Sequence, residues 1–411
     1  MTDRDPLNAF FDIRAEELKG QKPYEGGEHL WLGNAGAELA HNSLGFSIAA
    51  FGPFRRRFAP EVLTYGEIVA FSGDFYETPD ALFDEKPSPV PWLYEQNDMS
   101  DLLGALREEL AWIELPANQR GTGYPDKNIA LWWNAKWFIE LALRNAPHYG
   151  WHNAVMFAHW HNAALQLASQ AAVAGTADEK SLLWRRAVFT NGFADHFLTD
   201  GFAAGHVRTP AAQIRSWGAG RGFDPKLSGA LVKLIHDQDG HIEELHGQAA
   251  HRNRTEGLRV SNAHGDDWFT RCDGQMFWTG KDEPAVRHAV EAVADSVRDL
   301  LLVYNGAAIP VGVFASSRSI PFIHPAEKPL IEKFPATMDD AGVDRFFESI
   351  RWYVKLRGIA AGIRAHHIRE CFVALPKIME AFRTDIRQDA TRPEVLERLD
   401  PAFIAAYKDV R

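Results

Sequence analysis

The chain has 411 residues, of which 46% are hydrophobic and 24% charged, an ordinary globular composition that fits one large domain or two. Its formal net charge of −11 argues against a nucleic-acid polymer as the main partner, because such binders carry a basic stripe. The two cysteines, Cys272 and Cys371, are too few and too far apart for a disulfide framework.

The termini and the apolar stretches give no sign of a membrane segment. Residues 1–5 are charged and precede no apolar run, so we expect no secretory leader and a cytoplasmic location, with leaderless export as the alternative. The longest uncharged stretch, residues 300–317, is interrupted by Asn305, Pro310 and Gly312. A membrane span needs about 20 predominantly apolar residues, so we expect no transmembrane segment.

Helical periodicity dominates the chain, and alternating strand patterns are scarce. The three-to-four spacing of apolar residues predicts helices at 101–115, 128–144, 155–174, 181–200, 284–303, 343–356, 360–375 and 393–411. The apolar run at residues 67–71 fits either a strand or a buried helical turn. A polar, Pro-rich connector begins at residue 316. We therefore predict an all-α fold with a helical domain over 1–315 and a C-terminal helical extension over 316–411.

Histidines are concentrated in the middle of the chain. Eleven of the 17 lie between His148 and His264, far more than uniform scatter would place there. Such enrichment is typical of neither a hydrophobic core nor a solvated surface, and it directs attention to metal binding.

The sharpest motif is His196-x3-Asp200-x5-His206. Residues four apart share one face of a helix, with Cβ atoms roughly 5–6 Å apart, so an imidazole and a carboxylate can hold one ion. Gly201 can end this helix and Gly205 can redirect the chain, which returns His206 to the same region. The alternative is a surface His–Asp pair followed by an unrelated histidine, the commoner outcome for His-x3-Asp alone.

This pattern resembles the zinc-dependent phospholipase C and S1/P1 nuclease superfamily, whose members are all-α proteins with a trinuclear zinc cluster in a cleft. Other segments match it in order, over about residues 28–245. They are Glu28-His29-Leu30-Trp31, the segment 69–76 around Asp74, Pro147-His148-Tyr149, and His236-Asp237-Gln238-Asp239. In style the chain is closest to the bacterial zinc metallophospholipases C with long C-terminal extensions.

The resemblance implies a cluster of two or three Zn²⁺ ions, for which histidine and carboxylate ligands are suitable. It also implies that Asp74 orients or deprotonates the attacking water, as the catalytic residue. The implied ligands are Asp74, His148, His196 and Asp200 for one ion, His29 with the bridging Asp200 for a second, and His206, His236 and Asp239 for a third.

Two departures from the superfamily pattern affect this ligand set. In the superfamily a free N-terminal Trp completes the second site, whereas 28 residues precede His29 here. Candidate substitutes are Asn34, His41, His159 and His161. Gly240 stands where the superfamily has the last carboxylate, and we choose Asp239, on the same helical face as His236, over Asp237.

Aromatic and basic residues beside the ligands are candidates for substrate contacts. Phe75, Tyr76 and Tyr149 can pack against a cationic headgroup or a lipid glycerol, although a core role explains them equally well. Arg208 can bind phosphate as a fork, and a surface role is the alternative.

The function that the resemblance implies is a phospholipase C, a zinc-dependent phosphodiesterase acting on a phospholipid at a membrane surface. It would hydrolyse the glycerol–phosphate ester of phosphatidylcholine or phosphatidylethanolamine, a substrate class that the negative charge favours over nucleic acid. The first alternative is a single-strand nuclease or nucleotidase on the same cluster. The second is a non-catalytic helical protein with a structural zinc site, in which four protein ligands close the coordination shell.

Overall fold

The structure is a computed structural model in which helices predominate, so the predicted all-α class is confirmed at this level. Among the described residues, no helix is both long and apolar enough to cross a membrane. The helices predicted at 128–144 and 343–356 lie almost wholly outside the described residues. The structure describes residues 26–45, 52–84, 99–116, 119, 141, 145–225, 227–229, 231–232, 235–236, 257–271, 274–277, 280–327 and 365–410.

The N-terminal part combines one long helix with several short elements. The ambiguous run at 67–71 is helical because Thr64 and Glu67 form a capping box: the Thr64 hydroxyl accepts from the Glu67 amide, and the Glu67 carboxylate accepts from the Thr64 amide. The elements are α1 (Gly26–Leu44), the hairpin strands β1 (Phe54–Arg55) and β2 (Val62–Leu63), α2 (Tyr65–Phe71), α3 (Pro79–Asp84) and α4 (Met99–Glu114).

A central layer of three long helices forms the core. They are α5 (Trp151–Ala172), α6 (Ala177–Asp200) and α9 (Pro284–Tyr304), and α1 packs against α9. Gly36 lets α1 approach closely, because a Cβ there would lie only 2.4 Å from Cγ1 of Val293. Every residue of α6 from Ala187 to Asp200 is buried, so polar side chains in this half of the helix must find partners inside the protein.

Between α6 and α9 the chain forms two short helices and a small sheet. Helices α7 (Ala204–Arg208) and α8 (Ala211–Ala219) are followed by helical residues around His236. Strands β3 (Leu258–Ser261), β4 (Asp267–Thr270) and β5 (Phe322–Ile323) make an antiparallel sheet in the order β4-β3-β5. The periodicity did not predict this sheet, because its strands are too short and β5 joins from about 60 residues downstream.

The C-terminal segment consists of α10 (Ala365–Asp389), α11 (Pro393–Leu396) and α12 (Pro401–Lys408). The prediction of one helix over 393–411 is wrong, because Asp400 caps a new helix that begins at Pro401. The predicted boundary at 316 falls inside a 3₁₀ helix, Ala315–Arg318, and the following strand β5 pairs with β3. Residues 315–323 therefore pack as part of the helical core.

Candidate metal centre

The end of α6 carries two of the predicted ligands. His196 and Asp200 are both buried, and His196 Nε2 lies 3.8 Å from Asp200 Oδ2. His196 Nδ1 donates to the Val69 carbonyl at 3.1 Å, which leaves Nε2 as the nitrogen with a free lone pair. The i,i+4 spacing therefore aims the imidazole and the carboxylate at the same space.

His29, in the first turns of α1, joins these two residues. Its Nε2 lies 3.4 Å from Asp200 Oδ1, and its ring centroid lies 4.4 Å from that of His196. The Thr199 hydroxyl donates to the Asp195 carbonyl and accepts from His29 Nδ1 at 2.7 Å. This bond places the proton on Nδ1. The Nε2 atom of His29 therefore faces Asp200 as an acceptor, as does Nε2 of His196.

Asp74 lies in the turn that follows α2. Gly73 has φ +73°, and a Cβ on it would lie 2.6 Å from His196 Nε2 and 2.7 Å from His148 Cε1. Only glycine combines this backbone conformation with so close an approach to both rings. The turn therefore brings the half-buried Asp74 to the side of the cluster formed by His148 and His196.

His148 ends a 3₁₀ turn, Ala146–His148, just before α5. Its Nδ1 lies 2.8 Å from Asp200 Oδ2 and 3.2 Å from His196 Nε2. Two nitrogens bound at about 2.1 Å to a tetrahedral zinc ion lie about 3.4 Å apart. The separation of the two histidines thus matches one edge of such a coordination shell.

His206 on α7 and the buried His236 complete the group. His206 Nδ1 donates to the His148 carbonyl at 2.7 Å and lies 3.9 Å from Asp200 Oδ1. The two rings lie 4.9 Å apart, and the Tyr149 ring stacks on His206 at 4.6 Å. Gly205 permits this contact, because a Cβ there would lie 2.4 Å from His236 Nε2.

The structure thus brings seven of the eight predicted metal residues together. His29, His148, His196 and His206 each have a ring nitrogen within 4 Å of Asp200, Asp74 lies beside His148 and His196, and His236 lies beside His206. Asp239 lies outside the described residues. Two overlapping groups bring their ligand atoms within 4.8 Å of one another: His29, His196 and Asp200, and Asp74, His148 and His196. His196 has a single available nitrogen, so it can serve only one ion. The two oxygens of Asp200 face different histidines, so this carboxylate is placed to bridge two ions.

The charges in the pocket favour a cation. Burial alone would raise the pKa of Asp200, but His196, His148 and His206 hold it well below its ordinary value. Burial raises the pKa of Asp74. His148 opposes this increase, and the negative charge of Asp200 adds to it. Burial also lowers the pKa of His196 well below its usual value, against the opposing charge of Asp200.

Ring nitrogens of His29 and His196 thus face the carboxylate of Asp200 in a buried space. Asp200 Oδ1 accepts no hydrogen bond from any residue that the structure describes. A divalent cation would satisfy this oxygen and the ring nitrogens of His29 and His196 together, and neutral imidazole with carboxylate is a ligand set that suits Zn²⁺. The residues present therefore fit the metal that the sequence predicts.

The predicted substrate residues are only partly accessible. Phe75 is buried edge-on to Phe71, and Tyr149 is buried against His206. Tyr76 is half-buried, with the Arg56 guanidinium 5.7 Å from its ring centroid, and Arg208 is buried at the end of α7. The roles of these four residues in substrate binding stay predictions.

Two of the proposed substitute ligands already have other partners. The Asn34 side-chain oxygen accepts from the Gly66 amide at 2.8 Å. His161 bonds to Asn191 at 2.7 Å, in a different part of the core. His159 is exposed beside Trp160, and His41 is buried near the end of α1.

A buried polar network behind the cluster was not predicted. The Tyr65 hydroxyl donates to Asp195 Oδ2 at 2.5 Å, and the Asn191 amide donates to the Tyr65 oxygen at 2.7 Å and to the Ser296 hydroxyl at 3.0 Å. The network continues through Asn191 to His161. Its members come from α2, α5, α6 and α9, so no local sequence pattern relates them. Thr199, which orients His29, was missed for the same reason.

This network predicts a pH-dependent stability. Burial raises the pKa of Asp195 from 3.8 to about 7, against hydrogen bonds from Ser296 and Tyr65. The folded chain then holds a proton that the unfolded chain has released, so the free energy of unfolding should fall as pH rises from about 4 to about 7. The upper bound of this loss is roughly 4 kcal/mol. Asp195→Asn, which mimics the protonated acid, should remove the decline.

Urea unfolding of chelator-treated protein at pH 5 and pH 7.5 measures this difference. The matched control is Asp178→Asn, an exposed carboxylate in the first turn of the same helix. A decline of equal size in Asp195→Asn and in the unsubstituted protein would show that another group causes it.

Comparison with known proteins found no relative. No protein family, no curated protein and no solved structure matches the chain.

Proposed function

We propose that the protein is a zinc-dependent phosphodiesterase of the phospholipase C type, with the fold topology of the phospholipase C and S1/P1 nuclease superfamily. The observation that carries the proposal is the convergence of His29, His196 and His148 on the two oxygens of Asp200. The order of these ligands along the chain supports it, because it matches the order in that superfamily.

The ligand count favours catalysis over a structural role. A structural zinc site is closed by four protein ligands, whereas a catalytic site keeps a position open. Among the described residues each of the two overlapping groups has three members, and only one ion can use the shared His196, so neither group has four described ligands. Bound zinc supplies a water of pKa about 7 and a Lewis acid for the phosphate oxygens.

The reaction proposed is attack of water on the phosphorus of a glycerophospholipid. The bond from phosphorus to the glycerol oxygen breaks, and diacylglycerol and a phosphorylated headgroup leave. Asp74 is the proposed general base, because burial raises its pKa and so makes it a better proton acceptor than an exposed aspartate. Asp200, whose pKa is held low, stays ionised and serves as a ligand.

The choice of a zwitterionic phospholipid as substrate is supported by the net charge of −11, which disfavours approach of a polyanionic strand. The nuclease or nucleotidase alternative uses the same residues and differs only in the substrate that binds to them. A comparison of substrates can therefore distinguish the two activities, whereas an analysis of the metal site cannot.

The test is hydrolysis by zinc-loaded protein of phosphatidylcholine vesicles, phosphatidylethanolamine vesicles and single-stranded DNA in parallel. We expect release of a phosphorylated headgroup and a kcat about 100-fold lower for Asp74→Asn, the usual loss when a general base is removed. Glu77→Gln, an exposed carboxylate three residues away, should keep full activity. Cleavage of DNA alone would favour the nuclease, and full activity of Asp74→Asn would remove Asp74 from the mechanism.

A further inference from the structure

Two segments that carry metal-site histidines are tied directly to each other. We call residues 146–151 and 204–208 the crossed turns. The Gly150 amide donates to the His206 carbonyl at 2.7 Å, and His206 Nδ1 donates to the His148 carbonyl at 2.7 Å. The Asn153 side chain donates to both carbonyls, at 3.3 and 3.4 Å. His148 and His206 therefore move as one unit.

The C-terminal segment, residues 365–410, packs on the crossed turns. A Cβ on Gly150, whose φ is +59°, would lie 2.8 Å from Phe382 Cζ of α10. The Trp151 indole stacks on Phe403 of α12 at 5.8 Å, and its Nε1 donates to Asp389 at 3.1 Å. The segment 146–151, which leads into α5, thus rests on C-terminal side chains.

A third contact of the C-terminal segment is made with α7 itself. The Tyr407 hydroxyl, buried in α12, donates to the Val207 carbonyl, directly after His206. Carbonyls in the last turn of a helix have no partner within that helix, so this one depends on a donor from elsewhere. The hydroxyl of Tyr407 therefore fixes the short helix that orients His206.

The remaining ligands are fixed by other parts of the fold. Val69 orients His196, and Thr199 orients His29. Both of these contacts join helices α1, α2 and α6 to one another. The metal pocket thus has one side built by the N-terminal helices and one side supported by the C-terminal segment.

We propose that residues 365–410 position the crossed turns, so that metal binding by His148 and His206 depends on them, with Tyr407 as a positioning residue. The inference rests on the proposed metal cluster and assigns a role to the C-terminal extension. It separates the ions: loss of the C-terminal contacts weakens the ions that use His148 or His206 and spares an ion held by His29, His196 and Asp200.

The test is a zinc titration of Tyr407→Phe against a competing chelator dye, with zinc content after dialysis. The substitution keeps the buried ring and removes the bond to Val207, and we expect the ions that use His148 or His206 to bind about tenfold more weakly. Tyr304→Phe, which stacks on Trp184 at the far end of α6, is the control and should bind zinc as the unsubstituted protein does.

Asp389→Ala is the second variant. It removes the hydrogen bond from Trp151 at a half-buried position, and it provides the test if Tyr407→Phe does not fold. Weaker binding of the ions that use His148 or His206 in either variant supports the role. Unchanged affinity for every ion in the folded variants overturns it. A full-length protein that binds no zinc at all would instead overturn the proposed function.

Discussion

Replacing Asp200 by asparagine should abolish binding of at least two zinc ions and with it the hydrolytic activity. Both oxygens of Asp200 face histidine nitrogens, His29 at 3.4 Å on one side and His148 at 2.8 Å on the other. The amide keeps the size of the side chain but loses the charge and one of the two acceptor atoms. Changes to groups that only orient ligands already cost 10- to 100-fold in metal affinity or activity, so removal of a shared ligand should cost at least about 100-fold.

The measurement is zinc content after dialysis together with phosphodiesterase activity in excess zinc. Asp178→Asn, at the exposed start of α6, provides the control and should retain both. Circular dichroism establishes that Asp200→Asn is folded. If the folded variant kept its full zinc content, Asp200 would not be the bridging ligand.

Gly73→Ala should have an effect of similar size by a purely steric route. Its φ of +73° costs an alanine about 1–2 kcal/mol of backbone strain. The added methyl would also lie 2.5 Å from His196 Cδ2 and 2.6 Å from its Nε2, so the ring must move away from residue 73 and leave its present position beside Asp200. Misplacement of a functional group by about 1 Å can cost about 100-fold in rate, and we expect a loss of this order.

Gly104→Ala is the matched control, because a Cβ at that position in α4 meets nothing within 4 Å. Alanine in a helix is more stable than glycine by about 1 kcal/mol, so this variant should unfold at a slightly higher temperature and keep its zinc. Gly73→Ala with normal zinc content and normal activity would mean that the rings of His196 and His148 do not form the site.

The proximity of His196 and Asp200 could be predicted from the sequence, because the i,i+4 spacing depends only on helix geometry. The expected glycine turn before His206 is not formed: Gly201 is right-handed helical, with φ −56°, and Gly205 lies inside α7. The order of the other ligand segments added His29 and His148, which lie against Asp200, Asp74, which lies beside His148 and His196, and His236, which lies beside His206.

The sequence did not predict the interactions that orient the ligands. Thr199 fixes the tautomer of His29 across 170 residues of chain, and Tyr407 reaches Val207 across 200. Such contacts depend on how helices pack, which periodicity does not specify. The helix at 65–71 was also ambiguous, because its short apolar run has no period and the Thr64 capping box decided its type.

The central claim is that the histidines around Asp200 bind metal ions, and the most direct test is elemental analysis of the purified protein. The account predicts two or three zinc ions per chain after dialysis against metal-free buffer, lost with a strong chelator and regained when zinc is returned. Less than one ion per chain after loading with excess zinc would contradict it.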